Sequence, residues 1–200
     1  MGTDSKVVSG GAVIYPINAC QENVPYVVDH FSDTGANVTK ELWDKYILCD
    51  EELAQLIREA DCSIFEDSIE ILSASPFWST KYQEYFKQDA GYDLTRYLPY
   101  ITSAKTCSTD KVSGYDPTKF YGTNSSRYIE DYFTVLSNMY QNLFVGSMLD
   151  WCHNNLDALY RTQAYITKGI SVDTGAVSLD LDITEGESLA WKTNYDKFRI

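Results

Sequence analysis

The sequence predicts an α/β fold of parallel βα units, on three observations. Apolar segments of strand length recur at 24–28, 62–65, 161–166 and 176–183. Amphipathic helical patterns with their own capping residues lie between them. Acidic clusters follow two of the strand-like segments: Glu66 and Asp67 with Glu70, and Glu185-Gly186-Glu187. In folds of this class the loops that follow strands gather on one rim, so both clusters are expected there.

Taken in order, residues 1–23 form an N-terminal segment whose first 11 residues are polar and Gly-rich. The fold proper is expected over 24–200. Residues 24–28 read as a short strand. Thr39 is placed to cap a helix through about Leu48, with Leu42, Trp43, Tyr46 and Ile47 as its apolar stripe. Asp50 restarts the pattern by offering its carboxylate to the free amides of a helix over 51–60, where Leu53, Leu56 and Ile57 share a face. A strand follows at 62–65. Thr80 and Gln83 have capping-box spacing for a helix that Gly91 closes in the left-handed conformation. Residues 103–126 are rich in Ser, Thr, Gly, Asp and Lys without an apolar period and read as a long surface loop. The strongest helix comes next, with Ile129, Phe133, Leu136, Tyr140, Leu143 and Phe144 at three- and four-residue steps. Residues 161–166 read as a strand. Over 176–183, Val177, Leu179, Leu181 and Ile183 alternate with Ser178, Asp180 and Asp182, the two-residue period of a half-buried strand.

Composition narrows the function classes. With 200 residues, 44% hydrophobic and 14% aromatic, the chain can bury the core of one domain. The formal net charge of −13 argues against nucleic acid, which needs clustered Lys and Arg to displace its counterions. Neutral sugars or cations are better partners. No apolar run approaches the ~20 residues of a membrane span, and the N-terminus carries no signal-peptide core. Localisation is left open. Cys20, Cys49, Cys62, Cys107 and Cys152 are odd in number and irregular in spacing, which supports neither a zinc site nor a closed disulfide set. Asn37-Val38-Thr39 and Asn124-Ser125-Ser126 fit the N-glycosylation pattern, which would suit a secreted parent.

Two acidic strand ends are what glycoside hydrolysis requires. One carboxylic acid protonates the departing oxygen, while a carboxylate across the sugar activates water or attacks the anomeric carbon. Solvated loop charge is the competing account of the same residues. The ordered stretches Val28-Asp29-His30-Phe31-Ser32, Phe65-Glu66-Asp67-Ser68-Ile69-Glu70, Gly91-Tyr92-Asp93-Leu94 with Tyr97-Leu98-Pro99, Arg161-Thr162-Gln163-Ala164-Tyr165 and Asp182-Ile183-Thr184-Glu185-Gly186-Glu187-Ser188-Leu189 decide between them. Together they resemble the α-L-rhamnosidase-type glycoside hydrolases of family 106 and their fungal relatives.

The resemblance implies that 24–200 is part of a (β/α)8, TIM-barrel-like catalytic domain. A complete barrel takes about 250 residues, so the chain is expected to be a portion of a larger parent whose other domains are missing. It implies hydrolysis of terminal α-L-rhamnosyl linkages with inversion, Glu70 at one active-site strand end and Glu185 or Glu187 as the second carboxylate, the two unranked. It implies that Asp29, His30, Asp67, Arg161 and Gln163 contact the sugar. A calcium ion is implied as well, with Glu70, Glu185 and Glu187 as ligands, although no EF-hand loop is present. The alternative for Asp29 and His30 is a helix cap beside a structural histidine, and for His153 a favourable place on a helix dipole. Trp78 and Trp191 are stacking candidates that packing would also explain. Two alternatives to the enzyme stay open: a non-catalytic carbohydrate-binding or inactive truncated fragment, and a stability module of a larger protein.

Overall fold

The computed structural model describes residues 7–9, 12–14, 28–69, 77–79, 81–103, 125–164 and 172–186. Two short strands, β1 (Val7–Ser9) and β2 (Ala12–Ile14), pair antiparallel with Val7 opposite Ile14. Of the strand expected at 24–28, Val28 alone is described, and it is not in a strand.

Helix α1 (Asp33–Tyr46) starts earlier than Thr39, because Ser32 supplies the cap: its Oγ accepts from Gly35 N at 3.2 Å. Thr39 lies inside the helix and its Oγ1 donates back to Gly35 O at 3.3 Å. A Cβ on Gly35 would lie 2.0 Å from Asp29 O, so α1 meets the preceding loop at a distance that no side chain permits. Helix α2 (Glu51–Glu59) begins where expected, with Asp50 Oδ1 accepting from Glu52 N and Leu53 N, both at 3.1 Å. Its orientation differs from expectation. Ala54 is buried while Leu53 and Leu56 are exposed.

Strand β3 (Ser63–Glu66) follows. Helix α3 (Tyr82–Ala90) closes on Gly91 at φ 78°, as expected. Lys81 takes the cap position at φ 63° without a side-chain bond, and Gln83 Nε2 donates to Thr95 Oγ1 at 2.9 Å instead. Thr80 lies outside the described residues, as does most of the loop expected at 103–126. A 3₁₀ turn (Leu94–Tyr97) leads into α4 (Leu98–Ser103).

The long amphipathic segment is helical from Ser125 to Leu156 with two changes of pitch. Helix α5 (Ser125–Met139) passes through a π turn (Tyr140–Val145) into α6 (Gly146–Trp151), and a second π turn (Cys152–Leu156) ends at Asp157, φ 50°. Leu136, Met139, Tyr140, Phe144 and Met148 make it the spine of the core, together with Phe31, Tyr82, Phe86 and Tyr132. Strand β4 (Leu159–Gln163) then pairs parallel with β3, Ile64 opposite Tyr160.

The alternation at 176–183 does not make a strand. Residues Thr174–Asp180 are helix α7, because the Asp173 carboxylate caps it by accepting from Ala176 N at 2.9 Å. Val177 is fully buried and Leu179 is exposed, whereas a half-buried strand would have put both on one face. Strand β5 (Ile183–Glu185) follows and pairs parallel with β4, Arg161 opposite Ile183.

The described fold is therefore mostly helical around a three-stranded parallel sheet of order β3-β4-β5, and the expectation of a (β/α)8 barrel is overturned. Parallel pairing at the expected rhythm survives in two βα crossovers. The closed wall does not: 176–183 folds largely as helix α7, and of 24–28 only Val28 is described.

Candidate functional site

Alternation along the strands divides the sheet into two unlike faces. Ile64 and Glu66 of β3, Tyr160 and Thr162 of β4 and Thr184 of β5 share the face covered by helices. The second π turn and α6 pack against β4, and α7 against β5. Ser63 and Phe65, then Leu159, Arg161 and Gln163, then Ile183 and Glu185 lie on the opposite face. There Phe65, Leu159 and Ile183 keep 43%, 45% and 37% of their surface exposed.

The open face gathers three of the residues singled out from the sequence. Gln163 is opposite Glu185 in register, at the carboxyl ends of β4 and β5, but it is buried. Arg161 Nη1 forms an ion pair with Glu185 Oε2, the two side chains being 34% and 26% exposed. The same guanidinium donates through Nε to Ser63 Oγ at 3.1 Å and lies over the Phe65 ring, 4.8 Å from its centroid. Four side chains from three strands are thus locked side by side. Polar groups border an exposed aromatic ring, an arrangement able to hydrogen-bond hydroxyls while an apolar surface packs on the ring.

The covered face holds a polar cluster that sequence reasoning missed. Glu66, expected only as a flanking charge, accepts from His30 Nε2 at 2.9 Å through Oε1 and from the Tyr160 hydroxyl through Oε2. The Glu66 and His30 side chains are 22% and 17% exposed, while Tyr160 is sealed. Burial, and after it the Glu66 charge, push the Tyr160 hydroxyl far above the usual phenol range, so Tyr160 is the donor to Glu66. The same two causes raise Tyr140. The Phe144 ring lies 4.5 Å from the His30 ring. The available signal for this cluster was Glu66 as the last residue of β3; its partner Tyr160 is 94 positions away.

The remaining expected site residues are dispersed. Asp29 is consumed by the fold, its Oδ1 accepting from Phe31 N at 3.0 Å and its Oδ2 from Ser79 Oγ at 2.6 Å. Asp67 is exposed and accepts from the amide of Ser68 at 2.8 Å. His153 pairs with Asp182 at 2.8 Å, and the same carboxylate oxygen accepts from Tyr160 N at 2.7 Å, pinning the second π turn to β4 and β5. Glu70, Glu187 and Trp191 lie outside the described residues.

Of the three acids expected to hold calcium, the one described, Glu185, is engaged by Arg161. Among the described residues no three His, Cys, Asp or Glu side chains gather closely enough to hold a metal ion. Glu70 and Glu187 lie outside the described residues, so the calcium expectation rests on the resemblance, and no step is assigned to the ion. Likewise, among the described residues no helix is long and apolar enough to cross a membrane.

No family model and no curated protein matches the chain. Its structure is similar to that of the rhamnosidase from Novosphingobium sp. PP1Y, with 20% sequence identity and a TM-score of 0.46. The likeness covers 81% of this chain and 13% of that one, so the chain spans a small part of its length. A likeness of that size assigns neither a family nor a catalytic residue.

Proposed function

We propose that the chain is part of a glycoside hydrolase of the rhamnosidase-like kind, and that the open face of its sheet is the surface that meets the sugar. The observation that carries the reading is the convergence of Arg161, Gln163 and Glu185 beside the Phe65 ring, at or near the carboxyl ends of parallel strands. In open α/β sheets that edge is where ligands bind. The ordered motifs of the sequence support the same substrate class. In this reading Arg161 orients the sugar hydroxyls with the buried Gln163 behind it, Phe65 packs on the apolar side of the ring, and Glu185 is one of the two carboxylates the reaction requires. Glu70 or Glu187 supplies the other.

A second reading, a carbohydrate-binding surface without catalysis, is favoured by one observation. Among the described residues no second carboxylate shares the open face with Glu185. One pair of measurements separates them: release of p-nitrophenol from the aryl α-L-rhamnoside, and rhamnose binding followed by NMR shift perturbation. Turnover lost by at least about a hundredfold in Glu185→Gln, or in one of Glu70→Gln and Glu187→Gln, supports the enzyme. Shifts at Phe65 and Gln163 without turnover support the binding surface. Neither turnover nor binding overturns both.

A further inference from the structure

We propose that the cleft between Trp78 and the first turns of α3 is a second carbohydrate-binding site, separate from the open face of the sheet, that takes one uncharged pyranose ring. The cleft has a volume of about 410 Å³ and is lined by Trp78, Lys81, Gln83, Glu84, Lys87 and Asp93, with the buried Tyr82 beneath them. None of these residues belongs to the three-stranded sheet. The aromatic wall is fixed before any ligand arrives. Phe77 and Ser79, on either side of Trp78, are tied into the core: the Phe77 carbonyl accepts from the Tyr132 hydroxyl, its ring lies 4.6 Å from that of Phe31, and Ser79 Oγ donates to Asp29 Oδ2 at 2.6 Å. Trp78 stands between them with its ring 5.0 Å from that of Tyr82, and still keeps 48% of its surface exposed. Folding thus leaves half of a fixed indole in contact with water.

The polar lining selects the ligand. Lys81 and Lys87 bring two positive charges and Glu84 and Asp93 two negative ones, so the cleft carries no net charge. A polyanion would meet two carboxylates there and an organic cation two ammonium groups, so neither is matched. A wholly apolar molecule would take water from four charged groups and return no hydrogen bond. A pyranose meets every demand: its hydroxyls donate to carboxylates and accept from ammonium groups, while its C–H face packs on the indole. Asp93 is already set in place, since its Oδ1 accepts from Thr95 N at 2.8 Å and Gln83 Nε2 donates to the hydroxyl of the same threonine. Lys81 is set by the backbone. Its φ of 63° is the left-handed conformation, a strain that glycine would not incur, and its side chain makes no capping bond in return. Holding an ammonium group at the cleft is the role the site gives to that strained lysine.

The test is an NMR titration of the 200-residue chain with methyl α-L-rhamnopyranoside and methyl β-D-galactopyranoside at millimolar concentration, with inorganic phosphate as the charged control. The site predicts shifts at the Trp78 indole N–H and the Gln83 side-chain amide with at least one glycoside, and none with phosphate. Trp78→Ala should weaken that binding about tenfold. Lys81→Gly separates the site from the fold: binding should weaken several-fold while Tm stays unchanged or rises, because the left-handed strain is relieved. Shifts confined to Phe65 and Arg161 would support the sheet face and overturn this site, and shifts confined to Trp78 and Gln83 would do the reverse, so the two readings fail separately. The proposal is also overturned if both glycosides leave Trp78 and Gln83 unmoved, if phosphate moves the Trp78 signal more than either glycoside does, or if Lys81→Gly binds as tightly as the parent.

Discussion

The two faces of the three-stranded sheet are built from alternating residues of the same strands, and they differ in how far helices cover them. The sealed face carries Glu66, Thr162 and the Tyr160 hydroxyl, while the open face carries Phe65, Leu159 and Ile183. Parallel sheets ordinarily bury both faces, which is why their strands read as continuous apolar runs. Here the polar groups on the helix side tie elements together: Glu66 joins β3 to β4 and to the loop before α1. The apolar groups on the other side are set around an Arg161–Glu185 pair and remain accessible. The lesson is a division of labour. One face holds the strands in place, and the other displays side chains at their ends.

The largest expected effect compares neighbours on β4. Tyr160→Ala removes a sealed ring and leaves Glu66 short of a donor, and should cost about 3–5 kcal/mol. Leu159→Ala, one position earlier and 45% exposed, should cost less than about 1 kcal/mol. Urea unfolding of the two variants at a common m-value gives the numbers. Equal losses would erase the distinction between the faces.

The alkaline limb of stability sharpens the comparison with a smaller effect. Burial pushes the Cys152 thiol, on the sealed side, from 9.0 up to about 12, with Asp182, Cys62 and Glu66 adding to the rise. A folded-state value above the unfolded one means that the proton binds more tightly to the native state. Its stabilisation is complete below about pH 9 and is lost as pH rises toward 12. Within that window the thiol should account for about 1.4 kcal/mol per pH unit. Urea midpoints at pH 8 and pH 10 for the parent and Cys152→Ala measure the difference in slope, and equal slopes would show that the thiol is not sealed. Site-resolved alkylation gives the companion result. Exposed Cys49 reacts in the native state, and Cys152 reacts on unfolding.

Where the sequence carried a local physical signal, structure could be read from it. Asp50 and Gly91 cap as expected because a cap is decided within four residues. The helical stripe from Leu136 to Phe144 was visible because it buries one side of a long element. The alternation at 176–183 misled, since Val177, Leu179, Leu181 and Ile183 have a strand's period while the Asp173 cap sets a helix under the first two of them. The faces of α1 and α2 misled as well. Leu42, Tyr46, Leu53 and Leu56 are exposed, although their spacing is that of a buried stripe. At the site, Arg161, Gln163 and Glu185 were named from motifs, but their shared face depends on strand register, which no local pattern specifies. The Glu66 cluster was beyond reach for the same reason, with His30 and Tyr160 joined to it across 36 and 94 positions.

The smallest expected effect tests whether the open face is open. In Arg161→Lys the charge is kept, but a planar fork that meets Glu185, Ser63 and the Phe65 ring together is replaced by an ammonium that cannot satisfy all three. Because the Arg161–Glu185 pair is partly exposed to solvent, the stability change should stay within about 1 kcal/mol. The same substitution should weaken rhamnose binding several-fold if that surface orients the sugar, because hydroxyl recognition depends on where the donors are fixed and little on the net charge. Denaturation midpoints and NMR titration of one variant thus read the two consequences separately. A stability loss approaching that of Tyr160→Ala would mean that, in the intact protein, the Phe65 face is packed against residues beyond those described here, and its side chains would then hold the fold together instead of meeting a ligand.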